Sequence, residues 1–124
     1  MLLVNANVAE APVVELFRAR RFLRFNRTQR TGVIIDRALR KQRVKVNEFL
    51  ELNSLEGIAE LVRQGIGIAV VPLLRRCSWT RDDALRVVPL PDAGVRRNVG
   101  MLERAQHGKM SVTASIVRQL KEVV

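Results

Sequence analysis

Short apolar runs alternate with amphipathic stretches along the whole chain. Six runs have the length and composition of strands, and they cover residues 2–4, 22–26, 49–52, 68–71, 85–90 and 97–103. Apolar residues at helical spacing follow four residues that can begin a helix, namely Pro12, Thr31, Asn53 and Ser111, and a further short helix is predicted over residues 73–79. Because parallel strands need crossover connections that are usually helices, this order predicts an α/β fold with a mostly parallel sheet flanked by helices.

Residues 54–64 give the clearest helical pattern. Asn53 is a natural N-cap for this helix, and Glu56 three residues later can reach back to it. Gly65 can adopt the left-handed conformation that ends helices, so we expect the helix to stop there. Residues 68–71 are all apolar, which predicts a strand buried on both of its faces.

The size and composition of the chain set its broad class. Its 124 residues suit one domain or a large piece of one. The single cysteine, Cys77, cannot form an internal disulfide, which fits a reducing compartment. No apolar stretch approaches the ~20 residues that span a bilayer, and no secretion leader is visible. We therefore expect a cytoplasmic protein with no membrane partner.

The positive charge is concentrated in the first third of the chain. Residues 1–45 hold eleven Lys or Arg against three acids, and residues 46–124 hold eleven against nine. Such a surface attracts polyanions. Nucleic-acid grooves, however, usually place stacking aromatic residues among the cations, and this chain has only four Phe, one Trp and no Tyr. The composition favours a solvated basic face, and a basic nucleic-acid-binding module stays as an alternative.

Catalytic and metal-binding chemistry finds little support in the sequence. The one histidine, His107, is thirty residues from Cys77, and no ligands occur at metal-site spacing. No nucleophile elbow is present, and the carboxylates Glu48 and Glu51 are explained as charged positions of a strand. We expect a protein that is not an enzyme and needs no metal or cofactor.

Two loops are better placed to bind a small molecule. In open α/β sheets, ligands lie beyond the carboxyl ends of the strands. The loop of residues 26–31 follows the second predicted strand, and Asn53-Ser54 follows the third. Their hydroxyls, amides and free backbone N–H groups suit a carboxylate, to which Arg27 and Arg30 can add a bidentate clamp. The same residues also serve as ordinary helix caps, so both interpretations stay open.

Several stretches resemble one regulator family. Residues 51–72, Glu-Leu-Asn-Ser-Leu-Glu-Gly-Ile-Ala-Glu-Leu-Val-Arg-Gln-Gly-Ile-Gly-Ile-Ala-Val-Val-Pro, are similar to a signature of the effector-binding domain of LysR-type transcriptional regulators. Residues 22–26 and 31–36 resemble the strand and helix that come before this signature in the family. Residues 99–104 and the helix after Ser111 resemble the family's final strand and helix.

The resemblance implies a type 2 periplasmic-binding-protein-like fold, in which two α/β subdomains enclose a cleft. On this basis, about residues 5–95 form the second regulatory subdomain, and about residues 96–124 are a strand and helix that return towards the first. The chain would then be a truncated domain, without the N-terminal winged helix-turn-helix and most of the first subdomain. DNA would be contacted only through that missing N-terminal domain.

The resemblance also implies a function and a site. The chain would sense a small, anionic effector at the cleft and contribute to a homo-oligomer through the helix of residues 54–64. The implied effector contacts are Asn26, Arg27, Thr28, Asn53 and Ser54, with the backbone near Gly67 and Ile68. A stand-alone solute-binding protein of similar fold is an alternative from another class.

Overall fold

The computed structural model describes residues 1–73, 76–91, 96 and 98–123. Five strands are present in this part of the chain: β1 (Leu2–Asn5), β2 (Arg21–Phe25), β3 (Asn47–Leu52), β4 (Ala69–Val70) and β5 (Leu85–Val88). The helices are α1 (Val13–Ala19), α2 (Arg30–Lys41), α3 (Leu55–Arg63) and α4 (Met110–Val123), with a 3₁₀ helix at Ser78–Arg81. The order of strands and helices confirms the predicted α/β class.

The strands form two sheets that a single bridge connects. β1 pairs with β4 on one side and with β5 on the other, and β2 pairs with β3. A parallel bridge between Phe22 and Ile68 joins the two sheets, with Leu23 donating its N–H to the carbonyl of Ile68 at 2.8 Å. The strands therefore follow one another in the order β3, β2, β4, β1, β5.

The prediction of a mostly parallel sheet is only partly correct. β2 and β3 are parallel, and so is the bridge to Ile68, but β1 is antiparallel to both β4 and β5. Leu2, Leu3 and Val4 of β1 are completely buried. A fully apolar run of this length shows that a strand is central, and it contains no information about the direction in which the strand runs.

The core lies between the strands and the helices α1, α2 and α3. α3 packs on β1, β2, β3 and β4 through Ile58, Ala59 and Val62. The rings of Phe17 in α1 and Phe22 in β2 are 6.0 Å apart and tilted, an arrangement favourable for aromatic pairs.

The end of α3 follows the sequence prediction. Gly65 has a φ of +75°, in the left-handed region. Its N–H donates to the carbonyl of Val62, and the N–H of Ile66 donates to Leu61 at 3.0 Å. These two bonds are the Schellman pattern that commonly ends helices.

The predicted starts of three helices are wrong by one or two residues. The N-cap of α3 is Ser54 and not Asn53, because the Ser54 hydroxyl accepts the N–H of Gly57 at 3.0 Å. α2 begins at Arg30, with Gln29 as N-cap, so Thr31 lies inside the helix. Ser111 likewise lies inside α4, which begins at Met110.

The predictions near the C-terminus were less accurate. The predicted strand 97–103 is not a strand in its described part, residues 98–103. The short helix predicted at 73–79 overlaps the 3₁₀ helix Ser78–Arg81 only at residues 78 and 79, and residues 74 and 75 lie outside the described part. α4 has no buried residue, and its apolar side chains Val112 and Ile116 are exposed. No helix in the described residues is long and apolar enough to cross a membrane.

Candidate functional site

The loops that follow β2 and β3 meet at the carboxyl end of this parallel pair. The backbone N–H of Asn26 donates to the carbonyl of Leu52 at 2.9 Å. The side-chain amide of Asn26 donates to Oδ1 of Asn53 at 2.7 Å. The structure therefore brings together both loops that the sequence predicted, with Asn26, Arg27 and Thr28 on one side and Asn53 and Ser54 on the other.

Asn26 organises its own loop. Its Oδ1 accepts the backbone N–H of Thr28 at 2.9 Å and the Thr28 hydroxyl at 2.7 Å. The two bonds form a turn of the type that Asn favours. Because the Thr28 hydroxyl donates to Asn26, its oxygen is left as an acceptor. The Nδ2 of Asn53 has no hydrogen-bond partner among the residues that the structure describes. The loop thus offers an acceptor and a donor at its exposed edge.

The first turn of α2 packs directly against this loop because residue 32 is glycine. A Cβ at Gly32 would overlap the carbonyl oxygen of Asn26 and would lie 2.8 Å from the Cα of Arg27. The N-cap residue Gln29 makes no side-chain capping hydrogen bond. The positive end of the α2 dipole therefore lies beside Asn26 and Arg27, where it favours an acceptor or an anion.

Arg24 of β2 forms ion pairs with two carboxylates from neighbouring elements. Its side chain is almost completely buried, and it contacts the carboxylates of Asp36 in α2 and Glu48 in β3. The Nε of Arg24 donates to Glu48 at 2.6 Å. Burial works to raise the pKa of Glu48, but the hydrogen bond and charge of Arg24, with those of Arg27, outweigh it and hold the pKa below its usual value.

Arg27 is occupied by carboxylates of its own chain. Its guanidinium donates to Glu48 at 2.7 Å and to Glu51 at 3.2 Å, and its backbone N–H donates to Glu51. The charge of Glu48, followed by that of Glu51, raises the pKa of Arg27. The sequence suggested that Glu48 and Glu51 are only charged positions of a strand. In the structure they also form ion pairs with Arg27. Arg30 is exposed and has no ion pair with any described residue.

Gly67 and Ile68 lie at the other end of the sheet. Ile68 is bridged to Phe22, four residues before Asn26, which corresponds to about 13 Å along the strand. The Ile68 N–H donates to the carbonyl of Arg21 at 2.8 Å, and a Cβ at Gly67 would overlap that same carbonyl. The two residues border a hollow of about 320 Å³, whose lining is completed by Asn5, Val8, Ala19, Arg20, Arg21, Gly65 and Ile66.

A family model described as the LysR substrate binding domain matches residues 2–124. The chain belongs to the LysR substrate-binding domain family. Searches of curated proteins and of solved structures each gave no significant match. Membership supports effector sensing in a LysR-type regulator of transcription and a type 2 periplasmic-binding-protein-like fold, and it agrees with a regulatory role in place of a catalytic one.

Three residues of this LysR domain were missed in the sequence, namely Gly32, Glu48 and Glu51. The spacing of the two glutamates gave no usable signal, because side chains three residues apart on a regular strand point to opposite faces. The register between β2 and β3 shifts between Phe22 and Leu23, so that Glu48 is opposite Phe22 and Leu50 is opposite Leu23. This irregularity cannot be read from the sequence.

Proposed function

We propose that this LysR domain binds a small anionic effector at the surface formed by Asn26, Arg27, Thr28, Asn53 and Ser54, which we call the two-loop site. The observation that supports it most is the Asn26–Asn53 hydrogen bond, which joins the two loops beyond the carboxyl ends of β2 and β3. Ligands of open α/β sheets bind at this edge.

The charges of the two-loop site suit a carboxylate that competes with Glu51. The Arg27–Glu51 pair is exposed and long, at 3.2 Å, so its loss costs little. A ligand carboxylate in its place gains the dipole of α2 and the nearby charge of Arg30, which no described carboxylate neutralises. Nη2 of Arg27 lies 2.7 Å from Oε2 of Glu48, and this ion pair keeps the guanidinium oriented.

A thermal-shift titration with a panel of small mono- and dicarboxylates tests the proposal. A ligand with a Kd of about 1 mM, present at about 10 mM, stabilises by about 1.4 kcal/mol, which raises the Tm by roughly 4–7 °C. Arg27→Ala should remove most of this shift, because it removes the cation that the carboxylate contacts.

Arg20→Ala is the matched control, since Arg20 is an exposed arginine on the hollow beside Gly67. It should leave the carboxylate shift unchanged. Loss of the shift in Arg20→Ala but not in Arg27→Ala would move the site to the hollow. No shift with any carboxylate of the panel would argue against an anionic effector.

We also propose that α3 and its neighbour β3 contribute to self-association. β3 pairs only with β2 among the described strands, and Phe49 and Leu50 on it are 45% and 42% exposed. An exposed edge with large apolar residues is a common pairing surface. Leu50→Lys should shift sedimentation towards the monomer. The control Leu102→Lys, at a fully exposed position, should not. Equal masses for all three proteins would contradict this surface.

A further inference from the structure

The outward face of α2 and the turn after it carry an unusual excess of positive charge. Residues 30–45 contain one acid, Asp36, and the carboxylate of Asp36 is held by Arg24. The same segment contains six cations, all exposed: Arg30, Arg37, Arg40, Lys41, Arg43 and Lys45. None of the six has an ion pair with a described residue. Three arginines elsewhere in the described part of the chain do have ion pairs, namely Arg24, Arg27 and Arg63.

The cations within α2 are aligned. At 100° per residue, Arg30, Arg37, Arg40 and Lys41 fall within an arc of about 100°, opposite the buried positions of the helix. Those buried positions are Gly32, Ile35, Ala38 and Leu39. The four cations therefore form a stripe on the solvent side. Over the 12 residues of α2 the stripe extends about 18 Å.

We propose that this stripe, Arg30, Arg37, Arg40 and Lys41, binds the phosphate backbone of duplex DNA independently of sequence. A helix of about 18 Å laid parallel to the duplex axis covers the axial rise of roughly five phosphates of one strand, since these are about 3.4 Å apart along the axis. Cations that contact phosphates fix position and carry no base information. The proposal does not depend on the two-loop site.

The composition of the face argues against two other polyanionic partners. Single-stranded nucleic acid is held largely by stacking on aromatic rings. Helix α2 contains no aromatic residue, and the exposed large apolar residue among the cations is Val33. A helix that lies on a membrane inserts a large apolar face into the lipid, but the apolar face of α2 is buried against the core. A duplex needs only an exposed row of cations.

Fluorescence anisotropy of a labelled duplex of about 20 base pairs and arbitrary sequence tests the proposal with the 124-residue chain. Four phosphate contacts predict that the logarithm of the binding constant falls against the logarithm of the NaCl concentration with a slope of about −3.6. The triple variant R37Q/R40Q/K41Q should reduce that slope to about −1 and weaken binding at low salt by more than tenfold.

The matched control is R104Q/K109Q/R118Q, which removes the same charge from exposed positions outside the stripe. It should keep a slope near that of the unmodified protein. R37K/R40K keeps the charge and should bind like the unmodified protein, whereas a purely structural role of the arginines would not be rescued in this way.

Three results would overturn the proposal. One is absence of duplex binding at about 25 mM NaCl, where four contacts give readily measured affinity. The second is equal weakening in the two triple variants, which would mean that net charge alone attracts the duplex. The third is equal or tighter binding of a single strand of the same length. Circular dichroism of each variant establishes that it is folded before its affinity is compared.

Discussion

Alanine in place of glycine should have opposite effects at two equivalent positions of this domain. Gly32 and Gly57 are each the third residue of their helices, α2 and α3. In both helices alanine removes the entropic cost of glycine, a gain of up to about 1 kcal/mol. The difference between the two sites is what a new Cβ would meet.

The structure gives the size of each effect. At Gly57 the nearest atoms are Cβ and Oγ of Ser54, at 3.4 and 3.5 Å, which is ordinary contact. Gly57→Ala should therefore stabilise the domain by about 0.5–1 kcal/mol. At Gly32 the methyl group would overlap the backbone of Asn26 and Arg27, which cannot rotate away. Overpacking of this kind costs about 3 kcal/mol, so the net loss should be about 2 kcal/mol.

Thermal unfolding followed by circular dichroism measures both variants in one buffer. For a domain of this length, Gly32→Ala should lower the Tm by roughly 6–10 °C, and Gly57→Ala should raise it by roughly 2–5 °C. If Gly32→Ala is as stable as the unmodified protein, or if both variants move in the same direction, the close approach of α2 to the Asn26 loop is wrong.

Three further predictions concern the cap, the end of α3 and the acid side of the pH range. Ser54→Ala should cost about 1 kcal/mol of unfolding free energy and Asn53→Ala clearly less, since only Ser54 caps α3. If Asn53→Ala has the lower urea midpoint of the two, Asn53 is the cap. Gly65→Ala should cost about 1 kcal/mol in the same assay because its φ is +75°, and an unchanged midpoint would contradict that conformation. The pKa of Glu48 is lowered in the fold, so its contribution is present above the usual value of 4.5 and is lost as the pH falls through the lowered pKa. Glu48→Gln should therefore destabilise the protein at pH about 7, and the difference should shrink as the pH falls below 4.5. A difference that stays constant as the pH is lowered would be inconsistent with the ion pair.

The secondary structure was predictable because its signals are local. The apolar stripe of α3 and the stop at Gly65 depend on neighbouring residues, and both are found as expected. The cap of α3 was not predictable in the same way. Asn53 and Ser54 are adjacent and both can cap, and the side chain of Asn53 is instead taken by Asn26 from a distant loop. A tertiary contact thus decides between two local alternatives.

Two predictions were wrong for a related reason, namely the direction of the strands and the strand at 97–103. A strand exists only where a partner satisfies its backbone groups, and residues 98–103 have no strand partner in the described part of the chain. β1 finds antiparallel partners in β4 and β5, which are 64 and 80 or more residues away. Periodicity along the chain contains neither the identity nor the direction of such partners.

The meeting of the two loops could be predicted from the sequence, but the position of Gly67 and Ile68 at the other end of the sheet could not. Loops that follow parallel strands collect at one edge of a sheet, which brings Asn26 and Asn53 together. Gly67 comes before its strand, and the parallel bridge between Phe22 and Ile68 places the entry of β4 beside the entry of β2. A contact of Gly67 or Ile68 with the effector stays a prediction. It would have to be made from the edge of the sheet opposite the Asn26 loop.

Helix α2 takes part in both proposals, effector binding and duplex binding, mostly through different residues. Its first turn adjoins the Asn26 loop through Gly32, whereas Arg37, Arg40 and Lys41 lie further along, on the side turned away from the core. Arg27, the cation of the two-loop site, is already neutralised by Glu48 and Glu51 and adds little to the field of the stripe. Removing Arg27 should therefore leave duplex binding intact. Removing Arg37, Arg40 and Lys41 should leave carboxylate binding intact, whereas Arg30, in the first turn of α2, adjoins both surfaces. Because Arg27 and these three cations are separate, either proposal can fail without the other.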